Sequence, residues 1–324
     1  MRAAVLAFLA AVSGACAQEA PRPLAPEAPA RTMAVTIDDL PVGRRHPLAH
    51  QRRVTRGLLA QIEAAGVPVV GFVNEGKLGE AAGERDARTA LLRAWVDAGH
   101  ELGNHTYSHP SFFRTPLAEF KREVVRGEPV TRALLADRAA ARGRADPRDS
   151  LRYFRHPFLN TGPDAGTKRE FEAWLGARGY RTAPVTHDNA EYVYALAYDR
   201  ASGDAALRDS VAAAYLDYMD GTAAYYESLS RDLFGREIAG VLLLHANALN
   251  ADHFAALVER FRARGYVFTS LAEALEDPAY ASEDAYTGRR GLSWLQRWAV
   301  TRGAAFAPEP PPHPWVEAAA YPDR

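Results

Sequence analysis

Seven short apolar runs of strand character recur along this chain, and most are followed by a stretch with helical spacing; that alternation constrains the fold more than any other feature. The strand-type runs fall at residues 33–37, 68–73, 101–104, 151–154, 180–185, 240–244 and 266–269. Helical spacing marks residues 48–66, with Leu58 and Ile62 one turn apart and Gly66 as a stop signal, and also 86–98, 115–138, 167–178 and 252–264. Parallel neighbours need a crossover, and a helix is the usual one, so the pattern predicts a mainly parallel α/β sheet, open or closed into a barrel. Val241-Leu-Leu-Leu244 is a continuous apolar run, the signature of a strand buried on both faces. An Ala- and Tyr-rich insertion at 204–233 places Leu207, Val211, Tyr215 and Met219 four apart, which predicts a helix packing one apolar stripe on the core.

The chain ends read differently. Arg2, a ten-residue apolar run at 3–12, and Ser13-Gly-Ala-Cys-Ala17 follow the order of an export leader with an A-x-A cleavage site. The run is far short of the roughly 20 residues a membrane helix needs. Cys16 as a lipid-bearing first residue is the lesser reading, because Ser13 stands three places before it where a branched apolar residue would be expected. Residues 18–31 carry four prolines and read as an extended linker. The chain is therefore expected to be exported, periplasmic or secreted, with no transmembrane segment. It has 39 Lys and Arg against 40 Asp and Glu, a net charge of -1, which argues against a nucleic-acid partner. Removing the leader takes away Arg2 and Cys16, the only cysteine, so a mature domain would have no disulfide and would rest on its core alone. The tail, residues 281–324, holds Trp294, Trp298, Trp315 and a Pro-rich run, and packing on the domain is preferred to partner binding for it.

The unusual polar residues lie where strands end. Asp38 and Asp39 close the first strand, His105 and His109 follow the third, Arg155 the fourth, Asp188 and Glu191 the fifth, and His245 ends the sixth. In parallel α/β folds such loops share one face, so these residues could converge. Each has a plainer reading. An Asp-Asp pair before Leu40-Pro41 can be a turn device, and His245 can be a core histidine bonded to backbone. Two carboxylates at the tip of a buried strand nevertheless carry a desolvation cost that a metal or an arginine would offset. Arg155, between Phe154 and His156-Pro157-Phe158, would be costly to bury without a carboxylate partner, with Asp38 and Asp39 as candidates. The i, i+4 spacing of His105 and His109 would put two imidazoles on one side of a helical turn, suited to a divalent ion. His46 and His50 share that spacing and are taken as a solvated loop or helix start, though close enough after Asp39 to line the same site. His100, His187 and His253 are left unassigned as loop or helix-end residues.

Taken together and in order, VTIDDLP at 35–41, GHELGNHTYSHPSF at 99–112, FRHPF at 154–158, THDNAEY at 186–192 and VLLLHA at 241–246 resemble the polysaccharide deacetylases of carbohydrate esterase family 4, the NodB-homology domain. The resemblance spans about residues 32–275, and residues 32–280 are assigned to the catalytic domain. It implies a distorted (β/α) barrel with a helical insertion and a C-terminal extension. It implies further that Asp39, His105 and His109 hold a divalent metal, most often zinc, with cobalt, nickel or manganese as alternatives. Asp38 would be the base, Arg155 its orienting partner, His245 the general acid, and the Phe158 N–H an oxyanion donor. Asp188-x-x-Glu191-Tyr192 is similar to the family's Asp-x-x-Asp-Trp, so either acid could orient His245; Asp188 is placed with the catalytic groups and Glu191 with the substrate contacts. Ile37 and Leu40 stand where Phe and Gly are usual, and Phe158-Leu159 where Tyr-Gly is usual. The expected substrate is an acetylated glycan, such as a chitooligosaccharide or peptidoglycan, cleaved at an N-acetyl or O-acetyl group. Two other readings are weaker. Gly103-Asn104-His105 also occurs in metallophosphoesterases, but their Asp-x-His element is absent here. A carbohydrate-binding protein that has lost activity would show a missing ligand or base, and none is missing.

Overall fold

The computed structural model describes residues 31–79, 81–144 and 146–323. The leader and all of the Pro-rich segment except Arg31 lie outside them. Seven parallel strands form the centre: β1 (Arg31–Leu40), β2 (Val69–Val73), β3 (Glu101–Asn104), β4 (Tyr153–Phe154), β5 (Arg181–Thr182), β6 (Gly240–His245) and β7 (Tyr266–Phe268). Their order is β5-β4-β3-β2-β1-β6, with β7 on the beginning of β1. Beyond β5 the chain turns alongside β6, where the Thr186 and His187 N–H groups donate to the Val241 carbonyl (3.1 and 3.0 Å) and the Leu243 N–H donates to the His187 carbonyl (3.2 Å). The two edges of the sheet thus meet, as a curled, distorted barrel requires. His187, expected in a solvated loop, is buried in that seam.

The helices are α1 (Leu48–Ala65), α2 (Arg85–Asp97), α3 (Leu117–Arg126), α4 (Pro129–Arg142), α5 (Ala165–Ala177), α6 (Glu191–Arg200), α7 (Ala205–Phe234), α8 (Ala248–Ala263), α9 (Leu271–Ala274), α10 (Trp294–Thr301) and α11 (Pro314–Ala320). α1 ends as expected at Gly66, whose φ of 63° suits only a residue without Cβ strain. α7 is the predicted insertion helix: Asp204 caps it by accepting from the Leu207 N–H, and Val211, Tyr215 and Met219 are buried.

Two elements differ from the expectation. The single helix expected at 115–138 is split in two, because Pro129 has no N–H to continue α3 and starts α4 instead. At the break, a Cβ on Gly127 would sit 2.9 Å from the Thr106 carbonyl carbon, so glycine lets the α3 end approach the loop after β3. α6 was not foreseen. Its residues Val193 to Tyr198 are all buried, packed by α7, α8 and α11, so no 3.6-residue alternation of polar and apolar exists to be read.

The C-terminal extension packs on the domain. Trp294 and Trp298 are buried on α10, Val316 and Ala320 of α11 are buried, and Trp315 stays partly exposed. Gly291 lies so close to the Phe158 carbonyl that a Cβ there would be 1.8 Å from its oxygen. The fully buried Arg297 donates to the Leu159 and Tyr286 carbonyls (3.1 and 3.0 Å) and pairs with Asp284 (2.8 Å). The extension is thereby bolted to the loop after β4. Among the described residues no helix is long and apolar enough to cross a membrane.

Candidate metal centre and catalytic cleft

The carboxyl ends of the strands open into a cleft of about 730 Å³. β1 and β6 are adjacent and in register, with Asp38 opposite His245, so two residues far apart in sequence reach the same level by strand pairing alone. Asp39 follows at φ 73°, which turns its side chain away from the direction strand alternation would give it. The third strand delivers His105. The Arg155 N–H donates to the Asn104 carbonyl (2.9 Å), which fixes the loops after β3 and β4 side by side.

His105 and His109 do come together, but not on a helical turn. The loop between them contains left-handed Thr106 (φ 66°), and His109 is itself left-handed (φ 61°). Polar side chains hold that shape. Asn74 donates to the His105 carbonyl (2.6 Å), Asn104 accepts from the Thr106 N–H (2.7 Å), and the Thr106 hydroxyl accepts from the His109 N–H (3.1 Å). Glu123 on α3 accepts from the Ser108 N–H and hydroxyl (2.7 and 2.6 Å). Asn74, Asn104 and Glu123 were not anticipated as site supports; the two histidines that the i, i+4 spacing singled out do lie together, but on a left-handed loop in place of a helical turn.

Asp39, His105 and His109 each present a ligand atom within 4.8 Å of the others. The donor set fits a divalent cation. His105 Nδ1 lies 2.8 Å from the Arg155 carbonyl and donates to it, which leaves Nε2 as a lone-pair donor facing the cleft. Burial pushes both imidazoles below their ordinary value, so they are neutral at physiological pH, as lone-pair donors to a cation have to be. Burial alone would raise Asp39, but Lys77, His109 and His105 outweigh it and hold the carboxyl well below the usual range. Lys77, not foreseen in the sequence, is 3.0 Å from the Asp39 carboxylate and also donates to the Asp39 carbonyl (3.0 Å).

Asp38 is almost fully buried, and its Oδ1 has no hydrogen-bond partner among the described residues. Its Oδ2 is 3.5 Å from Arg155 and 3.6 Å from His105 Nε2. Burial raises it to about 6, against the pull of Arg155 and His245. Arg155 has no exposure, donates to the Thr36 hydroxyl (2.9 Å) and lies over the Phe72 ring at 4.7 Å. His245 faces this group with Nδ1 2.9 Å from Glu191 Oε2, while Asn247 and Asn250 donate to Glu191 Oε1. Burial opposes protonation of His245, yet Glu191, helped by Asp39 and Asp38, raises it to about 9.

That contact separates the two acids the sequence left open. Glu191, at the first turn of α6 and without exposure, is the partner of His245 and is closed off from any substrate. Asp188 lines the cleft, accepts from the Asn189 N–H (2.9 Å), is raised by burial, and makes no hydrogen bond to His245. Phe158 is 58% exposed at a left-handed turn (φ 55°), with its ring edge-on to His109 at 4.5 Å. His46 and His50 stack on each other at 3.9 Å, outside the cleft lining. The extension adds Arg290 and Glu309 to the cleft wall, and burial raises Glu309 to about 7.

A sequence-family comparison matches residues 25–141 to "Polysaccharide deacetylase". Over that stretch the chain is similar to that family. The family is one of hydrolases acting on amide bonds. The polysaccharide deacetylase match runs from the approach to β1 into α4, so it contains Asp38, Asp39, His105 and His109, while Arg155, Glu191 and His245 lie beyond it. Similar solved structures include a family 4 carbohydrate esterase from Streptomyces lividans in complex with acetate, at 19% identity, covering 75% of this chain and 93% of that one, with TM-score 0.43. A CE4 family pseudoenzyme from Bacillus anthracis matches at 14% identity, 77% of this chain and 66% of that one, with TM-score 0.47. The Xyl-CE4 domain of a multidomain xylanase from the hindgut metagenome of Trinervitermes trinervoides matches at 15%, 83% and 99%, with TM-score 0.44.

Proposed function

We propose that the cleft is the active site of a metal-dependent deacetylase that removes acetyl groups, N-acetyl in the first place, from an exported or cell-envelope glycan. The observation that carries this reading is the pairing of the Asp39, His105 and His109 cluster with an ionisable carboxylate, Asp38, on one side and a proton-bearing imidazole, His245, on the other. A divalent ion such as zinc, held by Asp39, His105 and His109, would polarise the acetyl carbonyl and lower the pKa of the attacking water. Asp38 takes the proton from that water; its unpartnered Oδ1 is available for the contact, and Arg155 keeps the carboxyl in place. The Phe158 N–H is offered to the developing oxyanion. His245 carries its proton on the cleft side, since Nδ1 is committed to Glu191, and gives it to the departing sugar amine. Asp188 acts by charge, within reach of Arg155 and His245. All five residues that an inactive binding protein would be expected to lose are in place.

Acetate release from acetylated chitooligosaccharide, peptidoglycan fragments and acetylated xylan tests this, with and without chelator. Chelation and His105→Ala should each abolish release, with His105→Ala also losing bound metal. Full turnover by the chelated protein would sink the mechanism.

A further inference from the structure

A second cavity of about 480 Å³ adjoins the metal cleft and shares Phe158 and Gly291 with it. Its remaining walls are Ser111, Arg114, Asn160 and Arg289. The charge is one-sided: both ionised groups are cationic and no carboxylate lines the cavity. Both arginines are exposed, and among the described residues neither guanidinium is in an ion pair. The metal cleft next to it has the opposite character, with Asp38, Asp39, Asp188 and Glu309 in its lining.

The walls that carry the arginines are fixed to one another. Asn160 is buried, accepts from the Ser111 hydroxyl (2.6 Å) and donates to the Arg289 carbonyl (3.2 Å), so the loop before α3 and the C-terminal extension are tied through one side chain. Gly291 against the Phe158 carbonyl, and Arg297 on the Leu159 carbonyl, hold the extension against the same turn. Phe158 stands between the cavities with more than half of its surface open, an apolar face against which a pyranose ring can lie. Two unpaired guanidiniums on braced walls match the planar, bidentate geometry of a carboxylate or the oxygens of a sulfate.

We propose that this cavity is a subsite for a sugar bearing an anionic substituent, next in the glycan to the sugar deacetylated at the metal cleft, with Arg114 and Arg289 holding the anion and Phe158 the ring. The proposal rests on the deacetylase reading for its catalytic consequence but not for binding. The probes are chitotetraose, a tetrasaccharide alternating N-acetylglucosamine with glucuronic acid, and 6-O-sulfated chitotetraose. Calorimetric affinity and acetate release are measured on the metal-loaded protein and on the Arg114→Ala/Arg289→Ala and Arg114→Lys/Arg289→Lys variants. At low salt one or both anionic probes should bind on the order of tenfold tighter than chitotetraose, as charge-assisted bonds to an anion allow. The alanine pair should erase that preference and raise KM for the anionic probe alone, and the lysine pair should keep part of it. The probe that gains identifies the anion as carboxylate or sulfate. Equal affinity for all three probes, or a preference untouched by the alanine pair, overturns the subsite. Preferential binding without acetate release would instead overturn the deacetylase reading and leave the subsite standing.

Discussion

Glu191→Gln is the sharpest perturbation the cleft offers. The carboxylate contributes the bond to His245 Nδ1 and the charge behind it, and the imidazole stands at about 9 in place of its ordinary 6.5. That raise corresponds to roughly 3 kcal/mol between the two protonation states. The sign follows from the direction of the shift. The folded protein holds this proton more tightly than the unfolded chain, so the stabilisation is fully present below pH 6.5 and is lost as pH rises through about 9. Glutamine preserves the shape: its amide oxygen can accept from Asn247 and Asn250 while its NH₂ turns to His245 and donates to a bare Nδ1. With the charge gone and burial remaining, His245 should titrate below 6.5. NMR titration of the His245 ring in metal-free protein, where no cation adds to the field, reads this directly. Urea unfolding of the same samples should show wild-type stability falling between pH 6.5 and 9 by clearly more than the variant's, whose smaller loss comes from groups such as Glu309 that are also raised. If wild-type His245 titrates near 6.5, or its stability falls no more than the variant's, the role assigned to Glu191 is wrong.

Asp38→Asn should keep the bound metal and lose deacetylation by about two orders of magnitude or more, as loss of a general base does; unchanged turnover would move the base elsewhere. Gly291→Ala should displace the Phe158 turn, because its Cβ would meet the carbonyl oxygen at 1.8 Å. Its expected signature is lowered kcat with metal content intact, and wild-type kinetics would show that the extension does not shape the cleft.

Strand positions were legible, their ends less so, because apolar runs of a few residues bounded by Gly, Pro and charge have few other uses. The residues 101–104 form β3 as expected, and the runs at 33–37, 68–73 and 240–244 lie within or overlap β1, β2 and β6. α6 was hidden because Val193 to Tyr198 are apolar and buried all round; the break between α3 and α4 was marked locally by Pro129, a signal that the helical spacing on either side of it outweighed.

The sequence by itself determined the chemistry available: two carboxylates at one strand end, two histidines at another, an arginine and a third histidine at two more, in a frame whose crossovers bring strand ends to one face. Covalent order and period 2 or 3.6 suffice for that. Only the tertiary structure decided which acid serves His245, that Lys77 shares the Asp39 carboxylate, and that the C-terminal extension forms part of both cavities. Those outcomes depend on side-chain directions set by left-handed residues such as Asp39, His109 and Phe158, and on register between strands some 200 residues apart, as with Asp38 and His245. Neither quantity is written in local composition, because each is fixed by how the whole sheet closes.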